Sequence, residues 1–272
     1  MGDASAVSAE GGGADEQKAS TTILAEAIEG ALNEVERPAD GLFLSALSAG
    51  LDIGFGPLLM AVVLTLLGPE SPEPFREFAL ANAYAVGFIF VIVGRSELFT
   101  EHTTLAVLPV LDGRASVGDL GRLWGIIYVG NVLGGAVFAL IAVVGAPAYG
   151  IAEPFAFATI ATKLVDHSLV GLLFAAVLAG WLMGMLAWLV VAAQETVSRL
   201  LVVWLVTLVI GMAHLPHSIA GNVEVLAGVF ATDAISLFDY GTFLAVSTVG
   251  NAVGGAFFVA LLKYGHVVRG GD

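Results

Sequence analysis

The chain has 272 residues, no cysteine, 12% charged residues and a mean hydropathy of +0.92. A soluble domain carries roughly twice that share of charge, so the composition excludes one, and the lack of cysteine excludes disulfides, thiolate catalysis and cysteine metal sites. The net charge of −14 argues against nucleic acid as a partner, and with only three lysines it points to a source whose proteins work in high salt.

Residues 1–40 are polar and acidic, with a Gly/Ala/Ser-rich start. Residues 1–20 read as disordered, and 21–37 as a cytoplasmic surface helix capped by Thr21 or Thr22. No basic stretch precedes a short apolar core, so a cleaved signal peptide is not expected. Apolar windows then recur near 43–67, 78–111, 120–145, 168–193, 200–231 and 241–264. Each supplies the ~20 residues that cross a hydrocarbon core. The reading is an all-α polytopic membrane protein with six spans, its channel domain over 41–265 and a cytoplasmic tail over 266–272. The short alternating segments of a membrane β-barrel are absent.

Residues 129–135 read Val-Gly-Asn-Val-Leu-Gly-Gly, and 249–255, shifted by 120, read Val-Gly-Asn-Ala-Val-Gly-Gly. The same shift lays Glu97-Leu-Phe-Thr100 over His217-Ser-Ile-Ala220. The chain therefore reads as two repeats, A over about 43–145 and B over about 165–264. Lys18, Arg37, Arg114, Arg122, Arg199, Lys263 and Arg269 lie in the termini and even loops, against Arg76 and Lys163 in the odd loops. That bias places both termini in the cytoplasm of a cell-membrane protein. Three spans per repeat is an odd number, so the second copy enters the membrane inverted. Glycines four apart (Gly50/Gly54, Gly130/Gly134, Gly180/Gly184 and Gly250/Gly254) mark close helix contacts in register with the repeat.

Two spans are interrupted. Window 78–111 is too long for one straight crossing and holds Arg95-Ser-Glu-Leu-Phe-Thr-Glu-His-Thr-Thr104. Charged side chains there cost at least ~2.5 kcal/mol each at mid-depth in lipid, so the segment is expected to line a cavity or lie buried in protein. Arg95 and Glu97 are expected to pair across this loop and pin it, while Glu101 and His102 relay protons or face a vestibule. Window 200–231 is broken at His214-Leu-Pro-His217, because Pro216 lacks an amide hydrogen and disfavours helix before it. A second half-helix is expected from near Ser218, with Ser218 as its cap and with free N–H groups suited to an anion. Glu224 follows this break and His214 precedes it; both join the candidates for loop pinning or proton relay.

The strings Gly94-Arg-Ser-Glu-Leu-Phe-Thr100 and His217-Ser-Ile-Ala220 resemble the two loop motifs of the formate/nitrite transporter family. The strings around Asn131 and Asn251 resemble its third and sixth spans, and Gly180-Trp-Leu-Met-Gly-Met-Leu-Ala-Trp188 its fourth. The resemblance implies an aquaporin-like fold with spans 2 and 5 broken, a homopentamer with one pore per protomer, and passage of small monovalent weak-acid anions. It implies that His217 is the central pore histidine, that Thr100 hydrogen-bonds it, that Leu98 and Phe99 belong to the constricting loop, and that Lys163 lies near an anion-attracting vestibule lysine. Phe88 and Ile210 complete the expected apolar gates. The chain departs from the pattern at Gly180, where relatives usually carry Asn, and at Arg95, Glu101 and His102, where the family loop is small and neutral.

A bare anion crossing dry constrictions loses much hydration energy, and protonating it within the pore removes most of that loss. His217 is accordingly expected to donate a proton or a hydrogen bond to the anion, with Thr100 orienting it, in passive or proton-coupled flux. No cofactor and no metal site is expected. Three rival readings are a neutral-solute channel of the water or glycerol kind, suggested by Gly180; an intramembrane metalloenzyme built on His214, His217, Glu224, Glu97 and His102; and a membrane scaffold. Pro216 between the two histidines and the lack of an HExxH string count against the metalloenzyme.

Overall fold

The computed structural model describes residues 17–68 and 70–270, all of whose regular structure is helical. Residues 1–16, most of the segment expected to be disordered, lie outside that range, as do the last two residues of the tail. In chain order the helices are α1 (Ser20–Glu36), α2 (Ala39–Ile53), α3 (Phe55–Leu67), α4 (Glu73–Gly94), α5 (Phe99–Leu105), α6 (Leu108–Leu111), α7 (Val117–Tyr149), α8 (Pro154–Val165), α9 (Leu169–Ala192), α10 (Thr196–Met212), α11 (Ser218–Ala231), α12 (Leu237–Gly255) and α13 (Leu262–Gly270). A π-helical stretch, Ala256–Leu261, joins α12 to α13.

Among the described residues five helical runs are long and apolar enough to cross a membrane: Ala39–Leu67, Glu73–Gly94, Val117–Tyr149, Leu169–Ala192 and Leu237–Gly270. The fifth apolar window, 200–231, divides into α10 of 17 residues and α11 of 14, neither long enough to be among these. The division falls at Leu215-Pro216, where the ring and missing amide stop an α-helix. Helix α8 was not foreseen. Its 12 residues are too few for a span-length window, but Pro154 at its first turn is a recognisable start signal.

Helix α1 occupies the expected surface-helix segment, but its cap is Ala19 with no side-chain hydrogen bond, not Thr21 or Thr22. The helix has already begun at Ser20, which leaves both threonines inside the first turn. Its apolar stripe of Ile23, Leu24, Ala27, Ile28 and Ala31 is buried. Most of that stripe packs with Leu108, Trp188, Val259, Ala260 and Val267, so the two ends of the described chain meet at one end of the molecule.

Segments related by the 120-residue shift share local structure. Ser116 and Ser236 each close a capping box with the aspartate three residues on, at the starts of α7 and α12. Glycines draw α2 against α7 and α9 against α12. A methyl group on Gly50 would run into the backbone of Asn131, and one on Gly180 into the backbone of Asn251. Gly180 is thus a packing glycine at a helix crossing, with no room for a larger side chain; it does not leave a gap in a cavity wall. Each short helix that follows a break packs on the opposite half. Thr104 Oγ1 of α5 donates to Gly255 O at 3.0 Å, and Asn222 Nδ2 of α11 donates to Val132 O at 3.2 Å.

Candidate functional site

A left-handed residue that is not glycine follows each of α4 and α10: Arg95 at φ 62°, directly after α4, and His214 at φ 47°, two residues after α10. Such a conformation costs roughly 1–2 kcal/mol, so the surroundings must hold it. They do so through two asparagines. Asn131 Oδ1 accepts from Phe99 N at 2.8 Å, while its Nδ2 donates to Ala46 O and Glu97 O, both at 2.8 Å. Asn251 Oδ1 accepts from Ser218 N at 2.8 Å, and its Nδ2 donates to Ala176 O at 2.8 Å and Pro216 O at 2.9 Å. Each amide therefore spans a break, tying the carbonyl before the cap residue and the first helical N–H to a glycine-rich helix. These bonds match Glu97 with Pro216, Leu98 with His217 and Phe99 with Ser218, a shift of 119. The 120-residue overlay of Glu97 on His217 is therefore off by one, because the second copy has one more residue between its break and its asparagine.

His217 caps α11. Its Nδ1 accepts from Ile219 N at 3.2 Å and Ala220 N at 3.1 Å, while Gly221 N donates to His217 O at 2.8 Å. With Ser218 N held by Asn251, all four leading amides are occupied. This corrects two expectations: Ser218 is not the cap, and the helix start offers no free N–H group to an anion. Ser218 Oγ is buried with no hydrogen-bond partner among the described residues.

The cap also settles the ring's tautomer. Because Nδ1 is an acceptor, a neutral imidazole must carry its hydrogen on Nε2. Nε2 lies 2.7 Å from Thr100 Oγ1 and therefore donates to it. The threonine's own hydroxyl hydrogen is left for another acceptor. Both residues are almost wholly buried, and the ring of Phe88 meets the imidazole edge-on, with centroids 4.9 Å apart and planes at 88°. Leu98, Phe88 and Ile210 are fully or nearly fully buried around this pair. Phe99 is also buried, but its ring packs on Trp124 and Tyr128 of α7.

Two cavities flank the pair. One, of about 250 Å³, is bordered by Arg76, Tyr84, Lys163, Ile210, His214 and Glu224. The other, of about 790 Å³, is bordered by Arg37, Ile92, Arg95, Glu97, Glu101 and His102. On α4, Tyr84, Phe88 and Ile92 lie four residues apart on one face, ~6 Å per step. Tyr84 borders the first cavity and Ile92 the second, so Phe88 and His217 lie between them.

Both cavities carry ion pairs. In the larger one, Glu97 Oε1 accepts from Arg37 Nη1 at 2.7 Å, and Glu97 Oε2 lies 2.6 Å from His102 Nε2. Arg37 also donates to Glu34 at 2.5 Å. Burial first, and then the charge of Glu97, push the Glu34 carboxyl above its ordinary range, with Arg37 pulling the other way. The expected Arg95–Glu97 pair does not form; among the described residues Arg95 has no ion pair. Its left-handed backbone ends α4, and Arg37, 60 residues upstream, reaches Glu97 instead. Glu101 borders this cavity beside His102. At the smaller cavity, Glu77 accepts from Lys163 Nζ at 2.5 Å and lies 2.8 Å from His214 Nε2. Sequence spacing offered no signal for Arg37, Glu77 or Tyr84, whose partners are distant in the chain.

The rival metal-site residues separate: His102 pairs with Glu97, His214 with Glu77, and His217 with Thr100. Among the described residues no three His, Asp or Glu side chains group as a metal site.

Comparison with known proteins agrees with this architecture. The family described as formate/nitrite transporter matches residues 21–265. The inner membrane protein YfdC of Escherichia coli (strain K12) is 33% identical over 238 residues, 86% of this chain and 74% of that protein. The nitrite transporter NirC of Salmonella typhimurium is 26% identical over 223 residues, 81% of each chain. Among solved structures, one described as an FNT family ion channel superposes with a TM-score of 0.80 at 24% identity, covering 90% of this chain and 98% of that one. A pentameric formate channel with formate bound superposes with a TM-score of 0.70 at 21% identity, covering 85% and 98%. With the apolar helical runs and a family match over nearly the whole sequence, the chain is a multi-pass membrane protein and belongs to the formate/nitrite transporter family.

Proposed function

We propose that the chain is a channel or transporter for small monovalent weak-acid anions of the formate and nitrite kind, one pore per protomer of a homopentamer. The observation that carries the reading is the Thr100–His217 hydrogen bond, buried between two cavities where the two interrupted helical runs meet. In this reading α4 with α5, and α10 with α11, are broken spans, and the six spans form two inverted three-helix repeats with both termini cytoplasmic. The relatives named for nitrite and formate support the substrate class.

The anion enters the smaller cavity and reaches the apolar constriction formed by Phe88, Ile210 and Leu98. There the free hydroxyl hydrogen of Thr100 faces it, held by the Nε2–H of His217 on the other side of the oxygen. Protonating Nδ1 would break the cap of α11, so His217 remains neutral and serves as a hydrogen-bond donor. Lys163, clamped by Glu77 and His214, presents a partly neutralised positive charge at the mouth.

The neutral-solute alternative rested on Gly180, whose Cα faces the Asn251 backbone, so no specific observation now favours it. The test is proteoliposome flux of formate, nitrite, acetate, lactate and hydrosulfide against pH, for wild type and His217→Ala. Uptake of at least one anion that falls about tenfold or more in the variant is expected, since losing the ring leaves the buried Thr100 oxygen without its donor, at a cost of about 1–3 kcal/mol. Water or glycerol flux without anion flux would overturn the reading.

A further inference from the structure

Helix α11 is buried without a gap from Ser218 to Gly228, yet this stretch carries a carboxyl, Glu224. Glu224 is 6% exposed and borders the smaller cavity with Tyr84 and Ile210. Among the described residues it forms no ion pair and no hydrogen bond. It lies seven residues after His217, two helical turns or ~10 Å along the axis and nearly on the same face.

The charged and titratable groups around it are identifiable element by element. Helix α4 contributes Tyr84 and Arg76 to this cavity, α8 contributes Lys163, and His214 precedes α11. Glu77 is engaged by Lys163 and His214. Helix α3 contributes only Met60 and Leu64. Helix α7 meets α11 across Gly135, and α12 meets it through Tyr240, whose hydroxyl donates to Asn222 at 2.7 Å. Among the described residues no cation pairs with the Glu224 carboxyl, so its ionised form has no counter-charge in contact.

We infer that Glu224 is the proton donor of the pore: as the anion leaves the smaller cavity for the constriction at Phe88, Glu224 hands it a proton, and the neutral acid crosses past His217. The inference rests on the weak-acid reading above. The step balances. The O–H bond of the Glu224 carboxylic acid breaks and one forms on the anion's oxygen, leaving Glu224 as carboxylate and the solute as neutral acid. Water in the cavity, open to the exterior, then returns a proton to Glu224. His217 cannot supply this proton. Its Nδ1 holds backbone amides, and loss of the Nε2 hydrogen would leave an imidazolate. Of the ionisable groups at this cavity, Arg76, Lys163 and His214 are drawn to Glu77, whereas Glu224 has no ion pair and borders the cavity with Tyr84, which lies one helical turn before Phe88.

The experiment uses the full-length protein in liposomes loaded with a pH dye, with formate and nitrite as probes, comparing wild type, Glu224→Gln and Glu224→Asp. Wild type is expected to acidify the lumen in step with anion uptake. Glu224→Gln should lose that acidification about tenfold or more, general acids contributing ~100-fold and upward, while Glu224→Asp should retain much of it. Infrared difference spectra should show a protonated carboxyl band that shifts on formate addition in wild type and is absent from Glu224→Gln. Uptake by Glu224→Gln with unchanged rate and pH profile would overturn the inference, as would faster uptake, since the carboxyl would then be a barrier. No band shift in active wild type would also overturn it. Wild type that moves neither formate nor nitrite at any pH would instead overturn the weak-acid reading.

Discussion

At the scale of single residues, Asn131 and Asn251 each satisfy two backbone groups at an interruption that no regular helix could satisfy, and each also bonds a carbonyl of a neighbouring helix, Ala46 O or Ala176 O. Asn251→Ala leaves buried donors and acceptors unpaired, at about 1–3 kcal/mol each. A markedly lower midpoint of thermal unfolding in detergent is expected, larger than for Asn222→Ala, whose amide makes fewer backbone bonds. Thr100→Val removes the acceptor of the His217 Nε2–H while nearly conserving shape, whereas Thr100→Ser keeps it. Flux should fall at least tenfold in the first and survive in the second; equal flux in both would count against the role given to the hydroxyl. The two asparagines were legible in the sequence only as a repeated string. Their partners lie 32–35 residues or 75–85 residues away, beyond any spacing rule. The cap of α11 was misplaced to Ser218 for a related reason: serine is the commoner cap, and only the ring's orientation puts His217 in that role.

At the scale of elements, the breaks were readable because proline and charge interrupt apolar runs, while α8 was not, because twelve residues give no span-length signal. The glycine pairs predicted helix contacts and the structure supplies the partners. Gly180→Ala is expected to separate α9 from α12 and lower stability by several kcal/mol, because the new methyl meets backbone that cannot move aside. Gly41→Ala, with open space around it, is the control and should be near neutral. Helix α1 is held by its apolar stripe and by Arg122, whose guanidinium donates to Val35 O and Arg37 O, both at 3.1 Å. Since the chain has no cysteine, Ala27→Cys is a clean reporter. Maleimide labelling should be slow in that background and markedly faster when Arg122→Ala is added.

At the scale of the molecule, α1 and α13 share one end, and α7, 33 residues long, carries the chain ~50 Å to the other. Membrane-impermeant maleimide added to whole cells should therefore label Glu153→Cys and spare Ala25→Cys and Arg269→Cys if both termini are cytoplasmic. Labelling of all three, or of the termini alone, would refute that orientation. Native mass of the detergent-solubilised protein should equal five protomers; any other number would refute the pentamer. The sequence by itself determined the solvent of this protein, its helical class and the two places where apolar runs are interrupted, because hydropathy, periodicity and proline act locally along the chain. Only the tertiary structure decided which residues face one another: Arg37 rather than Arg95 on Glu97, Asn131 and Asn251 across the breaks, Gly180 against α12, and a lone carboxyl at Glu224. Those pairings depend on how separate helices cross, and a one-residue difference between the two copies, invisible in the matching strings, is enough to change them.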